Sequence, residues 1–251
     1  MQHFFVEPGQ IFEKEKKILI TGNDVNHIKN VLRMKIGEEL SVSDGQSGRE
    51  YRCGVAELGE DEIVCELRFI KEDNVELPAK IYLFQGLPKA DKMELIIQKA
   101  VELGVYEIIP VATKRAVVKL DEKKAKSKIA RWQGISEAAA KQSKRGIVPN
   151  VRPVMTMKEA ILYAKDMDSK AIPYELAEGM QATKDWIASL AGCENIAVFI
   201  GPEGGFAEEE IEMAVESGIC PVSLGKRILR TETAGLTTLS ILMYHLETEG
   251  I

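Results

Sequence analysis

The sequence predicts two units, a small β-rich unit followed by a larger α/β unit with a mostly parallel sheet. Short strand-like runs separated by turns fill roughly the first 73 residues, a pattern typical of a small barrel or sandwich. From residue 80 onward, strand-like and helix-like runs alternate, which is typical of parallel strands covered on both faces. A polar run at residues 71–76, stopped by Pro78, separates the two patterns and marks the domain boundary.

The first unit is predicted to contain one helix among its strands. Asp24 can cap this helix, because the apolar residues Val25, Ile28, Val31 and Leu32 then share one face. Turns are predicted at residues 44–45 and 59–61. The predicted strands are residues 17–21, 39–43, 49–55 and 63–70.

The second unit is predicted from its alternating periodicity. Asp91, with Glu94 three residues later, resembles a capping box at the start of a helix that stops at Gly104. The predicted strands are residues 80–85, 106–111, 170–173, 195–200 and 221–224. The other predicted helices are residues 123–144, 156–164, 184–190, 208–216 and 233–246.

Composition excludes several classes of protein. Of 251 residues, 45% are hydrophobic and 29% charged, an ordinary globular mixture that argues against wholesale disorder. No run approaches the roughly 18 apolar residues of a membrane helix, and the first residues lack the basic and apolar regions of a secretory signal. Four cysteines lie far apart, and neither they nor the three histidines have metal-ligand spacing. We therefore expect a cytoplasmic location, reduced thiols, no membrane and no metal.

The net charge of -6 hides an uneven distribution. Residues 1–78 carry a net charge of -6, residues 79–145 a net charge of +8, and residues 146–251 a net charge of -8. Between Lys114 and Arg145 there are eleven Lys or Arg and three acidic residues. Such a stretch can present a basic face to phosphates, and Trp132 and Gln142 within it could stack on bases or bond their edges. The alternative is a solvated helix face.

A glycine-rich loop, residues 201–205, follows a predicted apolar strand and precedes a helix. Open parallel sheets bind ligands at this position, and three glycines in five residues allow close backbone approach. The loop is not a phosphate-binding loop, because Glu203 in its middle would repel a polyphosphate. A ribose hydroxyl, an amine or another cationic group suits the glutamate better. The alternative is a tight turn that binds nothing.

A second loop, residues 224–235, follows the last predicted strand and leads into the last helix. Thr231 or Thr233 can cap that helix. Its charges, hydroxyls and glycines beside an apolar strand favour a binding loop over a surface ion pair of Arg230 and Glu232. No serine lies in a Gly-x-Ser-x-Gly nucleophile motif.

Four ordered motifs resemble the RsmE family of SPOUT-class methyltransferases, which modify N3 of one uridine in small-subunit (16S) ribosomal RNA. These motifs are GPEGGF from Gly201, LGKRILRTETA from Leu224, QKAVELGV from Gln98 and EAAAKQ from Glu137. The run HIKNVLR from His27 extends the resemblance to the first unit, so that it covers nearly the whole chain.

The resemblance implies a PUA-like β-barrel RNA-binding domain at residues 1–74 and a SPOUT α/β domain with a trefoil knot at residues 78–251. It also implies S-adenosylmethionine as cofactor, small-subunit ribosomal RNA as partner and a homodimer. The family usually has an arginine near the N-terminus where this chain has His3, which affects one RNA contact rather than the reaction.

The resemblance also assigns candidate site residues. Arg230 and Glu232 are the candidate catalytic residues: Arg230 would stabilise charge on the uracil, and Glu232 would position Arg230 or the cofactor. The candidate cofactor-binding residues are Gly201, Glu203, Gly204, Gly205, Leu224, Gly225, Ile228, Leu229, Thr231, Thr233 and Ala234. The candidate RNA-binding residues are Arg33, Arg115, Arg131, Lys141, Gln142, Lys144 and Arg145.

Two alternatives remain open from the sequence. One is a SPOUT-class enzyme that methylates a ribose 2′-hydroxyl of RNA, which the product nucleoside would distinguish. The other is a non-catalytic RNA-binding assembly factor, which cofactor binding would distinguish. The sequence does not identify the general base, the uridine that is modified, or whether free RNA or the assembled subunit is the substrate.

Overall fold

The computed structural model describes residues 1–71, 75–175, 177 and 179–249. Residues 72–74 of the predicted boundary run lie outside the described residues. By their contacts the residues form two compact units, residues 1–76 with 140–148, and residues 77–139 with 149–251. The domain limits 1–74 and 78–251 stay a prediction, and residues 140–148 group with the N-terminal unit.

The N-terminal unit is a mostly antiparallel sheet. Within its described part six strands pair in the order β1-β4-β5-β6-β3-β2, and only β1 and β4 run parallel. The strands are β1 Gln2–Phe5, β2 Ile11–Phe12, β3 Lys17–Thr21, β4 Glu39–Ser43, β5 Glu50–Leu58 and β6 Glu62–Lys71. Alternating side chains such as Ile18, Ile20, Leu40 and Val42 are fully buried and form its core. The four predicted strands of this unit are therefore present.

The helix of this unit differs from the prediction. α1 spans Asn23–Asn26 and continues as a wider turn through His27–Val31. Gly22 precedes α1 with a positive φ of 71°, so Asp24 lies inside the first turn and does not cap it. The Asp24 carboxylate instead accepts a hydrogen bond from Lys141 at 3.3 Å. The helix dipole favours a carboxylate both at the N-cap and within the first turn. The sequence therefore did not distinguish these two positions for Asp24.

The second unit is a parallel sheet with helices, as predicted. Its described strands pair in the order β10-β8-β7-β12-β11-β13, with β9 also beside β8, and every pair is parallel. The strands are β7 Lys80–Gly86, β8 Glu107–Ala112, β9 Asn150–Val151, β10 Met155–Thr156, β11 Ser169–Pro173, β12 Asn195–Ile200 and β13 Cys220–Val222. β7 and β12 lie at its centre, where Phe84 and Phe199 stack with ring centroids 4.3 Å apart.

The helices of this unit match the predicted segments to within a few residues. They are α2 Lys92–Glu102, α3 Glu122–Ser143, α4 Met157–Tyr163, α5 Gln181–Ala188, α6 Glu208–Glu216 and α7 Thr231–Glu249. The last residues of α3, 140–143, group with the N-terminal unit. Asp91 stands before α2 but its side chain makes no capping hydrogen bond, so the predicted capping box is wrong. Thr156 does cap α4, because its hydroxyl accepts from the Glu159 N–H. None of the described helices has the length and apolar content to span a bilayer.

Candidate functional site

Three chain segments meet at the carboxyl ends of β7 and β12. Gly86 ends β7, and a Cβ built on it would lie 2.6 Å from Pro202 Cδ and 2.7 Å from Pro202 N. The loop after β12 therefore packs directly on the end of β7, which only a glycine at position 86 permits. The third segment is the start of α7, where the Thr231 hydroxyl donates to the Gly201 carbonyl at 2.6 Å. The start of the loop at 201–205 and Thr231 of the loop at 224–235, both predicted to bind a ligand, therefore lie together at this edge of the sheet.

The glycine-rich loop is a tight turn. The Gly205 N–H donates to the Pro202 carbonyl at 2.9 Å, and Gly205 has a φ of +67°. A Cβ on Gly204 would lie 3.1 Å from the Arg115 carbonyl oxygen, closer than most real Cβ contacts. Arg115 itself is exposed beside this turn. The positive φ at Gly205 and the close approach of the Arg115 backbone to Gly204 explain why both positions are glycine.

Glu203 is anchored by protein groups. Its carboxylate accepts from the Lys89 N–H at 3.1 Å and pairs with Lys92 at 3.0 Å. Burial alone would raise the pKa of Glu203, but backbone N–H donors and Lys92 hold that pKa below its usual value. Lys92 also pairs with Glu232 at 3.2 Å, and the two carboxylates raise the pKa of Lys92. The cationic partner expected for Glu203 is therefore a lysine of this chain.

Arg230 and Glu232 flank Thr231 at the start of α7. Glu232 is half-buried and tied to Lys92, whereas Arg230 is exposed and makes no ion pair within the described part of the chain. The Ala234 N–H donates to the Arg230 carbonyl at 2.8 Å, so Arg230 immediately precedes the first helical turn. The Arg230 guanidinium, which has no ion pair in the described part of the chain, can stabilise negative charge that develops on a bound molecule.

The remaining predicted cofactor residues lie in the connection from β13 to α7 and in the first turn of α7. Leu224, Gly225, Ile228 and Leu229 connect β13 to α7, and because all strands are parallel this connection leaves the same edge of the sheet as the loop at 201. Gly225 has a φ of +105° and Ile228 is 80% exposed. Thr233 is exposed and Ala234 half-buried in the first turn of α7. The structure thus gathers these residues at one edge, as parallel topology requires.

The predicted RNA-binding residues divide by exposure. Arg115 and Arg131 of the second unit are exposed, and Arg131 pairs with Glu94 at 2.8 Å. In the N-terminal unit Arg33, Gln142 and Lys144 are exposed, and Arg33 and Lys144 have positive φ angles. Lys141 is half-buried and paired with Asp24. Exposure leaves Arg33, Gln142 and Lys144 accessible to a phosphate, whereas Arg131 would have to leave Glu94 to reach one.

Two expectations for the basic stretch are wrong. The Arg145 side chain is only 5% exposed and forms an ion pair with Glu76, so it stabilises its own unit instead of presenting charge. Separating the two would leave a buried carboxylate without its cation, which is costly. Trp132 is also buried, at 3% exposure, and its ring faces inward from α3 rather than offering a surface for base stacking. Charge counting and residue type do not reveal which face of a helix is covered.

The sequence reasoning missed two residues of the site, Gln85 and Lys92. Gln85 is fully buried at the end of the apolar strand β7, and its amide nitrogen donates to Thr231 Oγ1 at 2.9 Å. A single polar side chain in such a strand was the signal available. Lys92 stands in the first turn of α2, where the helix dipole disfavours a cation. That unfavourable position was the sign of a specific acidic partner.

The described residues hold no cluster of three or more His, Cys, Asp or Glu side chains placed for a metal ion. The four cysteines are free thiols, and Cys53 and Cys65 are buried. His3 is half-buried, with its Nδ1 2.8 Å from the Ser41 hydroxyl, and burial lowers the pKa of His3.

Two family models match the chain, an RNA methyltransferase domain over residues 75–243 and an RNA methyltransferase PUA domain over residues 20–68. The ribosomal RNA small subunit methyltransferase E of Bacillus subtilis (strain 168) is 39% identical, over 98% of this chain and 98% of its own length. The protein of the same name from Mesomycoplasma hyopneumoniae (strain 232) is 33% identical over 96% of this chain and 98% of its own.

A solved structure has the same fold along the chain. The crystal structure of a ribosomal RNA small subunit methyltransferase E from Neisseria gonorrhoeae, bound to S-adenosyl methionine, is 31% identical and covers 97% of each chain with a TM-score of 0.82. The predicted fold class, a PUA-type unit followed by an α/β methyltransferase unit, is confirmed, while the trefoil knot stays a prediction. Because a family model spans more than half of the chain and its relatives align along nearly all of it, the chain belongs to the RsmE family of RNA methyltransferases.

Proposed function

We propose that this chain transfers a methyl group from S-adenosylmethionine to N3 of a uridine in small-subunit ribosomal RNA. The observation that carries the proposal is the meeting of the 201–205 loop, the end of β7 and the start of α7, where Lys92 joins Glu203 to Glu232. The chain's family supports an RNA methyltransferase, and the relatives named above act, by their names, on small-subunit ribosomal RNA.

The residues at this edge of the sheet fit S-adenosylmethionine. The cofactor carries an ammonium group, an amine and hydroxyls that need acceptors. Two buried oxygens here, Gln85 Oε1 and Thr113 Oγ1, have no hydrogen-bond partner among the described residues. The glycines of the two loops leave room for backbone carbonyls to approach a ligand. We propose that the residues predicted above from both loops form its binding surface.

When bound, the cofactor supplies an electrophilic methyl group on its sulfonium centre. The protein has to align uridine N3 with that methyl group and favour loss of the N3 proton. Arg230, exposed and without an ion pair in the described part of the chain, stabilises the negative charge that spreads onto the uracil oxygens. Glu232, fixed by Lys92, holds the first turn of α7 and so keeps Arg230 in place. The N3 proton leaves to solvent.

RNA binding and cellular location belong to the same proposal. The exposed basic residues Arg115 and Arg131, together with Arg33, Gln142 and Lys144 of the N-terminal unit, contact the RNA backbone. The target base has to leave its stack before its N3 can meet the methyl group. Because the substrate is ribosomal RNA, the protein acts in the cytoplasm.

A homodimer is also part of the proposal. Leu239, Leu242 and Leu246 of α7 are buried in their own unit, which accounts for part of this helix's apolar character. The opposite side still carries a shallow groove lined by Thr233, Leu236, Thr237, Ser240, Ile241 and Tyr244. Tyr244 is 70% exposed there. A second copy would cover this face, and light scattering that gives the monomer mass of 27.9 kDa would contradict it.

Mass spectrometry of ribosomal RNA nucleosides tests the reaction. We expect N3-methyluridine in small-subunit RNA from cells that contain the protein and its absence from cells that lack it. Arg230→Ala should lower kcat by on the order of 10²-fold or more while the variant still binds S-adenosylmethionine. A 2′-O-methylated product would establish the ribose methyltransferase instead. RNA binding without S-adenosylmethionine binding or methyl transfer would establish a non-catalytic assembly factor.

A further inference from the structure

A chain of buried hydrogen bonds runs from the central strand β7 to the glycine-rich loop. Gln85 is fully buried, and its amide nitrogen donates to the Gly86 carbonyl at 3.0 Å and to Thr231 Oγ1 at 2.9 Å. Thr231 is 4% exposed and donates its own hydroxyl proton to the Gly201 carbonyl at 2.6 Å. One glutamine side chain thereby joins β7, the start of α7 and the loop after β12.

The Thr231 hydroxyl both donates and accepts a hydrogen bond within the protein. A hydroxyl has one proton to donate, and this proton goes to Gly201, while one of its lone pairs receives the Gln85 N–H. Thr231 therefore has no proton to offer a ligand. Its side chain acts on a bound molecule through the Gly201 carbonyl, two residues before Glu203.

The same contacts fix the two residues beside Thr231. Arg230 and Glu232 adjoin it on the chain, and the helix that carries them starts at Thr231. Gly235, one turn later, lies beside Gln85, since a Cβ on it would be at ordinary contact distance, 3.5 Å, from Gln85 Oε1. A loss of the Gln85–Thr231 bond would release the first turn of α7 and the Gly201 loop together.

We propose that Gln85 and Thr231 are positioning residues for the methyl-donor site, acting through the Gly201 carbonyl and the first turn of α7. This inference rests on the proposed binding of S-adenosylmethionine. Gln85 contributes no charge and touches no reacting atom. From the first strand of the unit, it holds the loop after β12 and the start of α7 in the arrangement that the cofactor requires.

A comparison of Thr231→Val with Thr231→Ser distinguishes a role of the Thr231 hydrogen bonds from a role of its side-chain packing. Valine keeps the shape and removes both hydrogen bonds, whereas serine restores the hydroxyl. We expect Thr231→Val to weaken S-adenosylmethionine binding about tenfold or more, and Thr231→Ser to stay within about twofold of the wild type. Gln85→Met removes this donor and also the Oε1 acceptor, so it should weaken binding at least as much as Thr231→Val. Calorimetry gives the Kd and the fraction of protein that is competent to bind. Urea unfolding gives the stability of each variant.

Thr238→Val is the matched control. Thr238 lies on the same helix, is 2% exposed, and its hydroxyl bonds only the Ala234 carbonyl of that helix at 2.9 Å among the contacts of the described residues. The Thr238→Val variant loses a buried hydroxyl but no bond to a loop. The affinity of this variant for S-adenosylmethionine should therefore equal that of the wild type.

Each outcome decides between two readings. Wild-type affinity in folded Thr231→Val, or equal losses in Thr231→Val and Thr238→Val, would overturn the positioning role. If both Thr231→Val and Gln85→Met unfold, the bonds maintain the fold and the positioning role is likewise rejected. A wild-type protein that does not bind S-adenosylmethionine would reject the proposed function itself, which distinguishes the two failures.

Discussion

The ammonium nitrogen of Lys92 lies 3.2 Å from a carboxylate oxygen of Glu232, at the start of α7. The same nitrogen lies 3.0 Å from Glu203 in the glycine-rich loop. One cation thus joins two carboxylates from segments about 30 residues apart in the sequence. Without the cation, the two carboxylates would repel each other, and the pKa of Glu203 would lose one of the contacts that lower it.

Lys92→Met should therefore weaken S-adenosylmethionine binding and make it sensitive to acid. Glu203 has a lowered pKa, so its stabilising contacts are present above the usual carboxyl pKa and are lost as the pH falls through the lowered value. In Lys92→Met this loss should begin at a higher pH than in the wild type. Calorimetric Kd between about pH 4 and pH 8 measures the shift.

Lys92→Arg and Lys99→Met are the controls for this prediction. Arginine keeps the charge, and Lys99 forms its ion pair with Glu102 farther along α2, at 2.8 Å. Both variants should keep the wild-type pH profile. A Lys92→Met protein with that same profile would show that the bridge does not set the charge state of Glu203.

Gly205→Ala should impair the cofactor site more than its effect on stability explains. Gly205 has a φ of +67° and open space around its Cα, so alanine costs about 1–2 kcal/mol of strain without a clash. Gly192, with a φ of +78° and open space, is a matched position away from the loops. Urea unfolding should show similar losses for Gly205→Ala and Gly192→Ala, and calorimetry should show weaker S-adenosylmethionine binding for Gly205→Ala alone. Equal affinities would remove the turn from the site.

RNA binding should depend on the exposed basic residues between β8 and the first half of α3. Lys119→Glu with Lys123→Glu should weaken RNA binding and reduce the slope of log affinity against log salt by about 0.7 for each lost single-strand contact. Both lysines are exposed. Lys158→Glu with Lys165→Glu makes the same change in net charge on exposed residues outside this stretch. Filter binding that gives identical slopes for the two double variants would favour a solvated helix face.

The aromatic pair under the site should carry much of the stability of its unit. Phe84 and Phe199 are fully buried and their rings are nearly parallel, at 6°. Phe199→Ala should lower the free energy of unfolding by about 3–5 kcal/mol because it leaves a cavity between β7 and β12. Leu162→Ala, at a residue 69% exposed, should change it by about 0.5 kcal/mol or less. Urea denaturation of both variants gives the comparison, and a small loss for Phe199→Ala would mean that the core closes around the gap.

The order and type of the elements could be predicted from the sequence, because periodicity reports burial locally. The apolar run 195–200 and the alternation around it predicted a parallel strand, and β12 lies there. The same local signals placed both loops that are predicted to bind a ligand at strand ends. Resemblance of the motifs then supplied the family, which the relatives confirm.

What each charged or polar side chain contacts was decided by tertiary structure. Arg145 counts as one more cation in the sequence, yet it is buried against Glu76, 69 residues away. Glu203 suggested a cationic ligand, and the fold provides Lys92 instead. Gln85 lies in an apolar strand and contacts Thr231, 146 positions later in the sequence. The two residues meet because the parallel strands bring the end of β7 and the start of α7 to one edge of the sheet. Periodicity tells which residues face inward, whereas long-range partners depend on the strand order, and a single sequence contains no local signal for that order.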